Sequence, residues 1–292
     1  MWRNHQAGLA RLRTLLEMIK VQHSVFALPF AIVAALRAAD GCPPLATLGW
    51  IVLAMVAARS AAMAFNRLVD RRYDAENPRT AGRHLPRGIV SPAWAAGFTL
   101  ASVVLFAVAC WRLNRTAFLL SPIALVIVLG YSFTKRFTWT SHFVLGLGLA
   151  LGPIGAWVGV TGRVLDPFPL LLGLSVLLWT AGFDLIYACQ DAEFDRRTGL
   201  HSFPARFGVP PALALSSLLH VGMVASLAAA GRIAGEGPFF WAGVAIVAVL
   251  LVIEHRLVHP DDLSKAEVAF FQVNAAVGFV VLAAVALEVA LK

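Results

Sequence analysis

Nine apolar runs divide this chain, at residues 21–39, 45–65, 92–111, 116–133, 142–162, 168–188, 209–230, 237–253 and 268–290. Each holds 17 to 23 residues. At a rise of ~1.5 Å per residue, a helix of that length crosses a hydrocarbon core of ~30 Å. The runs are rich in Leu, Ala and Val and lack a period of two, and a backbone surrounded by lipid has to satisfy its own hydrogen bonds. The expected fold class is an all-α integral membrane protein with nine transmembrane helices, not a barrel. With 59% hydrophobic and 14% charged residues, the chain has too little polar surface for a soluble domain.

Basic residues set the expected orientation, because Lys and Arg are retained on the cytoplasmic side. They gather before the first run, in the connection after the second run (Arg67 to Arg87), at Lys135 and Arg136, at Arg196, Arg197 and Arg206, and at Arg256 and Lys265. The opposite connections are sparse in them. The N-terminus is therefore expected inside and the C-terminus outside. The net charge of +8 is explained by loops beside anionic headgroups, and no nucleic-acid partner is expected. Residues 1–20 place Leu9, Leu12, Leu16 and Ile19 at helical spacing among charged residues, which predicts a helix along the cytoplasmic interface. Residues 21–292 form one transmembrane domain, whose first run is expected to be kept as a span and not cleaved as a signal peptide.

The second run spills into Asn66-Arg-Leu-Val-Asp70-Arg-Arg-Tyr-Asp74. On a helix, Asn66, Asp70 and Asp74 at i, i+4 and i+8 form one slowly drifting stripe of oxygen-bearing side chains. Tyr187, Asp191 and Asp195 repeat the spacing where the sixth run ends. From the last acid of each stripe onward, the two passages share a carboxylate, Arg, Gly, His, Pro, Arg and Gly in that order. This weak internal repeat would place two helix groups around one central cavity, both presenting acids at the cytoplasmic face.

Four aspartates in one poorly solvated pocket would repel each other, so either they are separated or cations bridge them. Oxygen ligands without His or Cys favour Mg²⁺, which usually joins one or two carboxylates to a phosphate-bearing substrate. The arginine-rich loops, including Arg71, Arg72 and Arg197, suit the same phosphate, and Tyr131, Thr134 and Lys135 at the end of the fourth run form a candidate diphosphate clamp. Loss of an allylic diphosphate leaves a carbocation that an electron-rich ring captures where water is excluded. Tyr187 and nearby Phe rings are candidates to shelter it.

Taken together, these residues resemble the UbiA family of intramembrane prenyltransferases, whose motifs NxxxDxxxD and DxxxD stand here as Asn66, Asp70, Asp74 and Asp191, Asp195. The likeness spans almost the whole chain, including Phe26-Ala-Leu-Pro29-Phe30, Asn77-Pro-Arg-Thr-Ala-Gly82 and Tyr131-Ser-Phe-Thr-Lys135-Arg136. It is greatest to the 4-hydroxybenzoate polyprenyltransferase-like branch, some members of which act on a dihydroxynaphthoate in the futalosine route to menaquinone. The resemblance implies nine helices around a central cavity, Mg²⁺, an all-trans polyprenyl diphosphate donor, an aromatic acid acceptor and a bacterial cytoplasmic membrane. It assigns Asn66, Asp70, Asp74, Asp191 and Asp195 to metal and diphosphate, Lys135 with Arg71 or Arg72 to phosphate, and Tyr187 to the reacting end of the prenyl chain. Some members carry a lysine beside the second motif, where this chain has Gln190.

Arg59 lies seven residues before Asn66 and Asp184 seven before Asp191, so each extends its stripe inward. An arginine inside a span costs at least ~2.5–3.5 kcal/mol on insertion scales and is expected to have a partner. Asp184 is the expected partner, either as a structural ion pair between the second and sixth spans or in a site where Arg59 binds an acceptor carboxylate and Asp184 positions Arg59 or a ring hydroxyl. Acids in spans also mark ion or proton transporters, but those more naturally sit at the midplane on broken helices. Here they sit at one face beside basic loops, which favours the enzyme. Other UbiA-type acceptors, such as homogentisate, heme or a lipid, stay open.

Overall fold

A computed structural model describes residues 26–291. The expected interfacial helix over 1–20 lies outside the described residues. Nine apolar helices are present within them: α1 Ala27–Ala38, α2 Leu45–Glu76, α3 Pro92–Leu113, α4 Arg115–Thr134, α5 Ser141–Thr161, α6 Pro167–Ala188, α7 Val209–Ala234, α8 Pro238–Leu257 and α9 Asn274–Ala290. Eight of these segments are long and apolar enough to cross a membrane, and α1 is a shorter apolar helix. Among the described residues there is no strand, only an isolated bridge between His259 and Asp262. The all-α membrane expectation holds.

Local chemistry explains the turns. Asn114, in extended conformation, ends α3 and starts α4 at once: its Oδ1 accepts from Ala117 N at 2.9 Å, while its Nδ2 donates to Val158 O and Gly159 O of α5. Inside α4, Pro122 has no N–H for the carbonyl of Phe118, and Ser121 Oγ donates to that oxygen instead at 2.8 Å. Glu288 of α9 caps α8, accepting from Phe239 N at 2.7 Å and Phe240 N at 3.2 Å.

Helices adjacent in sequence pack side by side from α2 to α9, and α1 lies against α5 and α9. The dry core centres on Phe26, Phe30, Trp179, Phe183, Met223 and Leu227. The other side of the bundle, from α2 to α6, is left hollow.

Helices α5 and α6 approach closely because Gly146 has no side chain. A Cβ there would stand 2.5 Å from Leu177 O. The helices of a membrane bundle gain from such contact between small residues. Gly146→Ala is therefore expected to destabilise the protein by about 1–3 kcal/mol, as overpacking does, read as a lowered thermal unfolding midpoint in detergent. Gly155, with nothing within 4 Å of its Cβ position, is the matched control, at which Ala is expected to change the midpoint little.

Candidate active site

Helix α2 continues eleven residues past the apolar run that ends at residue 65. That extension puts Asn66, Asp70 and Asp74 on helix, with Asp74 buried. The second stripe is less regular: α6 stops at Ala188, a 3-10 turn covers Cys189–Asp191, and a short helix Ala192–Thr198 carries Asp195. Both stripes line one cavity of about 550 Å³. Its walls also include Arg59, Arg67, Asn77, Arg79, Arg83, Tyr131, Lys135, Arg136, Asp184 and Tyr187, and beyond these it is largely apolar, reaching Leu113, Val158 and Val164.

Each aspartate has a cation of its own. Asp70 accepts from Asn66 Nδ2 at 2.8 Å and from Arg136 Nη2 at 3.3 Å. Asp74 accepts from Arg83 Nη1 at 2.5 Å, with Arg67 Nη1 4.0 Å away. Asp191 accepts from Asn77 Nδ2 at 3.1 Å and is held through both oxygens by Arg79, by Nε at 2.9 Å and by Nη2. Asp195 lies 3.5 Å from Lys135 Nζ. Arginine and lysine counter-ions thus offset the repulsion among the acids.

The loop after α2 folds back to supply two of them. Asn77 Oδ1 accepts from Arg79 N at 2.9 Å, a side-chain-stabilised turn, and Thr80 Oγ1 donates to Asp74 O at 3.0 Å. This turn aims Arg79 at Asp191, where its Nη1 also donates to Tyr187 Oη at 2.6 Å. Burial alone would pull the pKa of Arg79 down, but the hydrogen bond and charge of Asp191 outweigh it and hold the guanidinium above its ordinary value. Lys135, at the end of α4, is likewise opposed by burial and raised by Asp195, Asp184 and Asp191. Its loop is tied down by His201 N donating to Lys135 O at 2.6 Å. Both cations therefore stay charged.

Arg71 and Arg72 stand elsewhere. Both are exposed, outside the cavity, over a shallow surface groove with Glu76. The reason is helical: residues one and two positions after Asp70 are turned about 100° and 200° away from its stripe. Arg197 is also outside, an exposed residue 3.9 Å from Glu193. Arg79, Arg83 and Arg136, with Arg67, none of which the sequence reading assigned to phosphate, stand beside the aspartates instead. Arg67 was accessible to it, since seven residues separate it from Asp74 just as seven separate Arg59 from Asn66. Arg79, Arg83 and Arg136 were not, because loop and helix-end geometry brings them in.

The expected Arg59–Asp184 pair does not form. Helix α2 packs against α3 and α4, and α6 against α5 and α7, so cavity space separates the two residues. Arg59 is left with a buried Nε that has no hydrogen-bond partner. Asp184 Oδ2 is instead 2.7 Å from Nδ1 of the fully buried His142. His142 Nε2 accepts from Phe203 N at 3.3 Å, so the ring proton sits on Nδ1 and is donated to Asp184.

Residues 27–283 match the UbiA prenyltransferase family. The chain belongs to that family. Among curated relatives, it is 32% identical to a 4-hydroxybenzoate octaprenyltransferase of Nitrosospira multiformis over 86% of each chain. It is also 32% identical to a 4-hydroxybenzoate solanesyltransferase of Synechocystis, over 87% of this chain and 86% of that one. Among solved structures, a UbiA homolog from Aeropyrum pernix superposes with a TM-score of 0.83 at 33% identity, covering 91% of this chain and 98% of that one. A UbiA homolog from Archaeoglobus fulgidus, solved with DMAPP and Mg²⁺, shares the fold at 20% identity and a TM-score of 0.69 over 92% and 99% of the two chains.

Proposed function

We propose that this member of the family transfers a polyprenyl group from an all-trans polyprenyl diphosphate to the ring of an aromatic acid, of 4-hydroxybenzoate or dihydroxynaphthoate type, in ubiquinone or menaquinone biosynthesis. The observation that carries this reading is a single cavity with four counter-charged aspartates at one end and an apolar remainder. The charged end suits a diphosphate with its cations, and the apolar part suits the tail. The names of the relatives in Nitrosospira and Synechocystis support the same donor and acceptor classes. The acid-bearing face is cytoplasmic on this reading, with the N-terminus inside and the C-terminus outside, as the basic connections suggest.

The donor set fits Mg²⁺. Asn66, Asp70, Asp74, Asp191 and Asp195 offer hard oxygens, and Asp74 Oδ2 is buried without a hydrogen-bond partner. Among the described residues no three acidic, His or Cys side chains converge closely enough to enclose a metal by themselves, so a phosphate-bearing substrate would complete the ligand set. When bound, the metal neutralises charge on the departing diphosphate.

Arg79, Arg83, Arg136, Arg67 and Lys135 exchange some aspartate contacts for phosphate oxygens as the donor enters, and so stabilise the charge that grows as the allylic C–O bond breaks. Pyrophosphate departs with the bonding electrons. Tyr187 presents its ring to the resulting cation. A ring carbon of the acceptor forms the new C–C bond, and the proton at that carbon passes to the released pyrophosphate, which restores aromaticity. Arg59 holds the acceptor carboxylate, and Asp184, its orientation set by His142, accepts from a ring hydroxyl.

Arg59→Leu separates the acceptor role from a structural one. Because Arg59 has no partner to strand among the described residues, its removal is expected to leave the unfolding midpoint unchanged or raised, while the acceptor KM rises about tenfold or more and the donor KM stays within about twofold. An unchanged acceptor KM in the folded variant removes the idea.

Purified protein in lipid nanodiscs, given one polyprenyl diphosphate and a panel of 4-hydroxybenzoate, dihydroxynaphthoates and homogentisate, tests the proposal. Pyrophosphate release and prenylated product are expected only with Mg²⁺ and an aromatic acid. Absence of transfer to every acid, or transfer to homogentisate alone, refutes the proposed acceptor class.

A further inference from the structure

Between α8 and α9 the chain does not run on as a regular α-helix. Residues Ala269–Val273 form a π-helical turn immediately before Asn274. Such wide turns are rare and are often found at functional sites. This one carries Phe270, which lines the cavity and lies against Tyr187 with ring centroids 4.4 Å apart and an interplanar angle of 31°. Phe270 also meets the edges of Phe183 at 5.3 Å and Phe26 at 5.6 Å.

A fully buried polar group fastens the turn. Asn274 has no solvent exposure. Its Nδ2 donates to Glu254 Oε1 at 2.9 Å and shares its remaining capacity between Ala269 O at 3.1 Å and Phe270 O at 3.2 Å. Its Oδ1 accepts from Trp179 Nε1, and because that indole is a donor only, the amide orientation is unambiguous. One side chain therefore joins the backbone of the π turn to α6 through Trp179 and to α8 through Glu254. A polar network of this kind, dry on all sides, allows one arrangement and penalises others. Its geometric consequence is the position of Phe270 over Tyr187.

We propose that Asn274 is a positioning residue for prenyl transfer: it locks the π turn so that Phe270 stacks on Tyr187, and the two rings together form the aromatic wall against which the allylic end of the donor ionises. This rests on the transfer reaction proposed above. Phe270 touches the reacting end of the substrate, and Asn274 acts only through Phe270.

The test compares Phe270→Leu, Phe270→Tyr, Asn274→Ser and the double variant Phe270→Leu/Asn274→Ser, each assayed per folded molecule with its unfolding midpoint recorded. Asn274→Ser keeps a small polar group and serves in place of an apolar replacement that endangers folding. Loss of the ring in Phe270→Leu is expected to lower kcat about tenfold and to raise the proportion of prenyl alcohol formed by water, while Phe270→Tyr stays close to wild type. Asn274→Ser is expected to lower kcat to a similar extent with donor KM little changed, and the double variant is expected to be no worse than Phe270→Leu alone. If Asn274→Ser leaves kcat per folded molecule unchanged, or if its effect multiplies undiminished onto that of Phe270→Leu, the proposal is wrong. If the wild type itself transfers no prenyl group, it is the underlying reaction that has failed.

Discussion

Asp191→Asn is expected to cut transfer at saturating donor by about 10²–10³-fold, because it removes a full negative charge from the cavity that both motifs line. In the structure Asp191 accepts from Asn77 through Oδ1 and from Arg79 through both oxygens. An asparagine keeps one of those oxygens and turns an NH₂ donor toward the guanidinium. The Asp191 side chain is 10% exposed and that of Arg79 28%, so partial screening limits the structural cost to about 1–3 kcal/mol. Activity and unfolding midpoint, measured on the same preparation, separate the two effects. Asp70→Asn, at a more exposed position, is expected to lose comparable activity with a smaller shift in midpoint. Full activity in both variants would overturn the metal and diphosphate assignment.

Arg79→Lys is expected to lower kcat/KM for the donor by about 10²-fold despite conserving charge. Arg79 makes a two-pronged contact with Asp191, donates to Tyr187 Oη, and stands over the Tyr187 ring at 4.8 Å. A lysine ammonium is a point donor and reproduces at most one of these contacts. The exposed Arg72, replaced by Lys or by Met, is expected to change kcat/KM by less than about twofold, since it faces away from the cavity. Steady-state kinetics on the three variants check this directly. Equal losses at Arg72 and Arg79 would mean that the basic loops act as a diffuse field and not as placed ligands.

Much of this protein was readable from residue order. The apolar runs announced the nine helices because the bilayer admits few other ways to satisfy a backbone. The i, i+4, i+8 spacing of Asn66, Asp70 and Asp74 placed them on one face, since α2 extends through the motif. The repeat of that spacing at Asp191 and Asp195 pointed to a shared site, and the same cavity receives both. These are consequences of local periodicity, which a single chain reveals.

Partnerships across the cavity were not readable. Arg71 and Arg72 looked like phosphate ligands because they are adjacent to Asp70 in sequence, but adjacency on a helix turns a side chain away from its neighbour. Arg79, Arg83 and Arg136 reach Asp191, Asp74 and Asp70 because a loop closed by Asn77 and Thr80, and the end of α4, lie over the cavity mouth. Asp184 was matched with Arg59 by symmetry of spacing, whereas its neighbour across the α5–α6 contact is His142. The π turn at Ala269–Val273 left no signature in apolar periodicity. The sequence by itself thus determined which faces carry acid and which segments cross the membrane, because those follow from helical geometry and burial in lipid. Which cation answers each acid, and which ring leans on Tyr187, was decided only in the tertiary structure, where chain crossings between distant segments set distances that no local spacing encodes.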